Sequence, residues 1–69
     1  MHTYTFRFYH RQGYLTHRVM RQCADLADAL QWSCETMQHD HAMLEILDGE
    51  TLLWRGTHTQ ACASTQSAA

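Results

Sequence analysis

Residues 3–10 (TYTFRFYH) alternate: Tyr4, Phe6 and Phe8 fall on one side, Thr5, Arg7 and Tyr9 on the other. A period of two in an aromatic and threonine-rich stretch predicts a β-strand. Gln12-Gly13 supplies a turn, since glycine takes the positive φ of a tight hairpin, and Leu15 to Met20 returns as the second strand. A two-residue loop places Phe8 opposite His17, Arg7 opposite Arg18 and Phe6 opposite Val19. One face is then Tyr4, Phe6, Phe8, Leu15 and Val19, and the other Thr5, Arg7, Tyr9, Arg11, Tyr14, Thr16, Arg18 and Met20. A three-residue loop would move every side chain past it to the opposite face.

From Cys23 to about Gln38 the period lengthens to that of a helix. Cys23, Leu26, Ala27, Leu30, Cys34 and Met37 share an arc of about 100°, with Ala29 and Ser33 at its edge. Asp25, Asp28, Gln31, Glu35 and Gln38 lie opposite, and Trp32 falls among them. Asp25 and Asp28 suit the positive end of the helix dipole. Ala42 to Leu47 predicts a third strand, Asp48-Gly49 a type I′ turn, and Glu50 to Arg55 a fourth strand. Pairing across that turn puts Leu44, Ile46 and Leu53 on one face, and Met43, Leu47, Leu52 and Trp54 on the other. Residues 57–69 are small and polar without a period, and read as a disordered tail.

The expected fold is α+β: a two-layer ββαββ domain over residues 1–56, with a four-stranded, largely antiparallel sheet and one helix. One helix covers one sheet face, yet the second hairpin is apolar on both. Trp32, Met43, Leu47, Leu52 and Trp54 therefore form an expected interface, since uncovered apolar patches mark contact surfaces. A homodimer is the economical partner. The short joint at Arg21-Gln22 invites exchange of elements between copies, which makes the expected dimer intertwined.

Size sharpens this expectation. A chain of 69 residues hides only about 60% of its unfolded surface, and cores this small usually rely on disulfides, a metal or a partner. Three cysteines, an odd number, and no signal-peptide-like apolar stretch argue against disulfides. No apolar run reaches the eighteen or so residues of a transmembrane helix. The expectation is a cytoplasmic protein with reduced thiols and no membrane partner.

Charge is segregated along the chain. Residues 1–22 hold Arg7, Arg11, Arg18 and Arg21 and no acid, residues 23–50 hold all seven acids and no cation, and only Arg55 follows. Such a chain folds its halves together, pairs with a second copy, or offers its basic half to a polyanion.

Tyr4 and Phe6 in the first strand, an alanine-rich amphipathic helix, and the closing Leu47-Asp48-Gly49-Glu50 hairpin give residues 3–55 a family look. The chain resembles the short uncharacterised proteins of rhizobia and related alphaproteobacteria. The resemblance implies a bacterial protein with no assigned activity, and it carries no site residues.

Candidate chemistry is sparse. His39, Asp40 and His41 could offer two imidazoles and a carboxylate, but a metal site needs three or four convergent ligands. Cys23 and Cys34 are eleven residues apart, roughly 16 Å along one helix, too far for a disulfide. Cys62, in the expected tail, has no held base beside it. The reading is no enzyme, no metal and no cofactor. Arg7, Tyr9, Arg11, Tyr14 and Arg18 mix guanidinium forks with stacking rings, a platform that could meet nucleic acid. The acidic balance, pI about 6.3, argues against that use, and neutralisation of these arginines by Glu45 and Glu50, or by helix acids of a partner, is the favoured reading. The expected function is a non-catalytic, homodimeric interaction module with an unknown protein partner; the alternative is nucleic-acid binding by the first hairpin.

Overall fold

The computed structural model describes residues 1–37 and 41–66, apart from the side chains of residues 41 and 64–66. The elements run β1 (His2–His10), β2 (Leu15–Cys23), α1 (Leu26–Thr36), β3 (His41–Asp48), β4 (Thr51–Thr57) and α2 (His58–Gln66). The sheet has the order β2-β1-β3-β4 and every neighbouring pair is antiparallel. The α+β class and the four-stranded antiparallel sheet are as the sequence pattern predicts. The tail expectation is corrected: residues 58–66 form a second helix.

The first hairpin keeps its predicted register, with Phe6 opposite Val19, Arg7 opposite Arg18 and Phe8 opposite His17. It does so by a different route. The loop is Arg11-Gln12-Gly13, closed by the His10 amide on the Tyr14 carbonyl and the Gly13 amide on the His10 carbonyl, each at 2.8 Å. The register then shifts between Phe8 and Tyr9, which leaves Thr16 as an extra residue on β2. Its hydroxyl donates to the Phe8 carbonyl at 2.9 Å. A one-residue bulge restores the parity that a three-residue loop alone would lose. Leu15, opposite Tyr9, lies on the turn side of this bulge and leaves the predicted core face; it is exposed.

The second hairpin departs further. Its loop is Gly49-Glu50, between the paired Asp48 and Thr51, with Gly49 at φ 61° as its first central residue. Positive φ at that position alone belongs to a type II′ rather than a type I′ turn. A second bulge lies at Leu53, because Ile46 pairs with Trp54 but Leu47 with Leu52. Leu53 is therefore exposed, while Trp54 turns to the side of Ile46 and packs on the core.

The core lies between one sheet face and the helices: Tyr4, Phe6, Phe8, Leu44 and Ile46 from the sheet, Ala29, Leu30 and Met37 from α1 and its C-cap, and Ala61 from α2. Helix α1 starts at Asp25, whose carboxylate accepts from the Asp28 amide at 2.8 Å. The Asp28 carboxylate reaches back to the Ala24 amide at 3.0 Å. Two N-terminal donors that lack intrahelical acceptors are thus satisfied by side chains. The buried side of α1 centres on Leu26, Ala29, Ser33 and Met37, turned by roughly 50° from the expected arc at 100° per residue. Ala27 goes to solvent, and small Ala29 and Ser33, both fully buried, let the helix lie close to the sheet.

That rotation corrects the placement of Trp32. Its ring meets Phe6 edge-on at 4.8 Å between centroids and lies 6.3 Å from Phe8. The Arg21 guanidinium stands over it at 5.0 Å, a cation–π partner within the same chain.

Helix α2 begins with a reciprocal cap. The Gln60 amide donates to the Thr57 hydroxyl at 3.2 Å, and the Thr57 amide to Gln60 Oε1 at 2.8 Å, the side-chain and main-chain exchange of a capping box. Gly56, just before it, is buried against Trp54 and Gln60; an added Cβ would lie 2.7 Å from the Trp54 ring and 2.6 Å from Gln60 Oε1.

Candidate functional site

Both helices pack on one side of the sheet, which leaves the other side bare among the described residues. Register defines this open face as rows of directly opposed residues. One row runs Met20, Thr5, Leu47, Leu52 across the four strands, and the next runs Arg18, Arg7, Glu45, Arg55. A third holds Tyr9, Met43 and Thr57.

The apolar row is uneven. Thr5 and Leu47, on the central strands, are only 7% exposed, whereas Met20 and Leu52, on the edge strands, are 61% and 49% exposed. Neighbouring strands shield the middle of the row, and its ends project into water.

Glu45 organises the charged row. Its Oε1 accepts from the Tyr9 hydroxyl at 2.7 Å and lies 3.9 Å from Arg7 Nη1, while its Oε2 lies 3.9 Å from Arg55 Nε. The hydrogen bond to Glu45, then burial, hold the Tyr9 phenol above its usual pKa, with Arg7 opposing them. Glu45 thus neutralises Arg7 as the charge pattern suggests. Three guanidiniums still share the row with one carboxylate. Beside this row, Tyr9, Gly13, Met43, Glu45 and Arg55 line a cleft of about 230 Å³.

Of the expected interface residues, the fold brings together Met43, Leu47 and Leu52 on the open face and separates Trp32 and Trp54, which pack toward the helices. The expected polyanion platform is also divided. Arg7 and Tyr9 are engaged by Glu45, Tyr14 stacks on His10 with centroids 4.6 Å apart, and Arg11 and Arg18 are exposed.

A second cluster lies on the helix side. Cys34 and Cys62 form a disulfide between α1 and α2, correcting the expectation of reduced thiols. The spacing along the expected helix excludes only the pair Cys23–Cys34, and Cys23 ends β2 instead of joining α1. Helix α2, which replaces the expected disordered tail, brings Cys62 to Cys34. A ring nitrogen of His58 and the two sulfurs all lie within 4.8 Å of one another. His58 Nε2 donates to the Cys34 carbonyl at 2.9 Å. Two signals could have revealed the cluster: the capping-box spacing Thr57-x-x-Gln60, and His58 and Cys62 four residues apart on the helix it starts. Cys23 is a buried free thiol whose pKa is raised, chiefly by burial, then by Asp28. His39 and Asp40 lie outside the described residues, as does the side chain of His41.

No helix among the described residues is long and apolar enough to cross a membrane. Compared with protein-family models, curated proteins and solved structures, the chain gives no match. The resemblance over residues 3–55 therefore rests on its turn and strand signals alone.

Proposed function

We propose that the protein is a non-catalytic interaction module whose open sheet face associates with a second copy of the chain. The observation that carries this reading is the row Met20, Thr5, Leu47, Leu52, apolar and exposed at its ends, beside a charged row whose Arg7 and Arg55 have an internal counter-charge in Glu45. The molecule measures 31 × 27 Å along its two longer axes, a broad face on the scale of the roughly 800 Å² that each partner contributes to a stable interface. A two-fold axis through that face sets apolar rows on one another, the self-complementary contact of symmetric dimers. Arg21 and Gln22, the expected joint, lie inside β2, so exchange of the first hairpin across Ala24-Asp25 is the intertwined form of the same association.

Molar mass by light scattering, at low and high salt, tests the proposal. The expected result is a dimer in both, reduced to a monomer by Leu52→Glu, a substitution at an exposed position. A wild-type monomer at working concentration overturns it. The nucleic-acid alternative predicts instead a salt-sensitive gel shift lost in Arg11→Glu/Arg18→Glu.

A further inference from the structure

The cluster on the helix side is separate from the open face and has a chemistry of its own. Cys34 comes from α1, and His58 and Cys62 from the first turns of α2. The cysteine Cα atoms are 5.0 Å apart, and the three ligand-type atoms lie within 4.8 Å of one another. The hydrogen bond from His58 to the Cys34 carbonyl adds an independent observation. A carbonyl oxygen only accepts, so the bond places the ring proton on Nε2 and leaves the imidazole lone pair on Nδ1. A hydrogen bond from a ring nitrogen to a backbone carbonyl is a common way for proteins to orient a histidine ligand.

We propose that, when the Cys34–Cys62 bond is reduced, Cys34, His58 and Cys62 bind a zinc-class divalent cation through two thiolates and one imidazole nitrogen. Sulfur and nitrogen donors without a carboxylate select such an ion over calcium or magnesium. The fourth tetrahedral position is left for water or an exogenous ligand, as in three-ligand zinc centres. Sulfurs 2.3 Å from a tetrahedral ion sit about 3.8 Å apart, a separation compatible with cysteines whose Cα atoms are 5.0 Å apart.

The chemistry balances. A dithiol reductant gives two electrons and two protons to the disulfide and itself becomes a disulfide. The two thiols then release two protons to solvent as the ion binds, and the metal's oxidation state does not change. Disulfide and metal are mutually exclusive because they use the same sulfurs. Each ties α2 to α1, so the ion takes over the cross-link where thiols are kept reduced.

The test is anaerobic titration of the reduced full-length chain with Co²⁺, followed by displacement with Zn²⁺. The expected result is one cobalt per chain, with a thiolate-to-cobalt charge-transfer band that zinc abolishes and that the oxidised chain lacks. Cys23→Ser keeps the band, Cys34→Ser and Cys62→Ser lose it, and His58→Gln weakens binding by about tenfold or more. A reduced chain with native far-UV circular dichroism and no band overturns the proposal, as does a band unchanged in Cys62→Ser or His58→Gln. If the serine variants fail to fold, alkylation of the wild-type chain decides: zinc must slow the modification of Cys34 and Cys62, and equal rates with and without zinc overturn the site.

Discussion

The Tyr9 hydroxyl donates a 2.7 Å hydrogen bond to Glu45, a residue 36 positions later in the chain. The contact joins the basic first hairpin to the acidic second one, because β1 and β3 are neighbours in the sheet. It is one place where the segregated charge of the sequence is resolved within the chain.

Removing that hydroxyl in Tyr9→Phe should cost about 1 kcal/mol, read as a lower urea midpoint at neutral pH. The pH dependence has a definite sign. The phenol's folded pKa is raised above 10.0, first by the bond to Glu45 and then by burial. Its contribution is therefore complete below the unfolded value and is lost as pH rises through the raised one. Wild type and Tyr9→Phe should converge in stability on the alkaline side. A gap that stays constant across that range would show that the hydroxyl is not the titrating partner.

Trp32 should behave as a packing residue. Its ring contacts Phe6 and Phe8 and carries Arg21 above it. Trp32→Ala is expected to cost about 2 to 3 kcal/mol, less than a fully buried tryptophan, and Arg21→Ala about 0.5 to 1 kcal/mol. Chemical denaturation of both variants checks the ranking. A neutral Trp32→Ala would return the side chain to the surface role that the helical pattern alone suggests.

Gly56 is placed by close approach. A Cβ there meets both Trp54 and Gln60, so Gly56→Ala should destabilise the chain by about 1 to 3 kcal/mol through overpacking. Gln60→Ala removes one of the two obstacles and should recover part of the loss in the double variant. Thermal melts of the two single variants and the double variant measure that coupling.

The Cys34–Cys62 link closes a span of 28 residues. Chain-entropy reasoning gives about 3 to 4 kcal/mol for a loop of that length. Metal-free Cys34→Ser and Cys62→Ser should each lose close to that amount in urea unfolding. Hydrogen exchange should show the earliest opening in α2. Cys23, buried with a raised thiol pKa, should resist alkylation in the folded chain.

The sequence by itself determined the order of the first five elements and the alternation of Tyr4, Phe6 and Phe8. These follow from local periods, because a strand has a period of 2 and a helix one of 3.6. A second helix was also legible in the Thr57-x-x-Gln60 cap, although its weakly amphipathic sequence hides it from a periodicity reading. Tertiary structure alone decided the rest. A bulge at Leu53 sends Trp54 to the core, one at Thr16 keeps the first hairpin in register, and a rotation of α1 turns Trp32 inward. The period of a segment does not encode where an extra residue is inserted or which neighbour a helix face meets. Those outcomes depend on apolar burial over the whole chain, to which distant segments contribute together. The meeting of Cys34, His58 and Cys62 belongs to the same class: it exists because two helices pack on one side of the sheet, and the opposite face is left bare for the same reason.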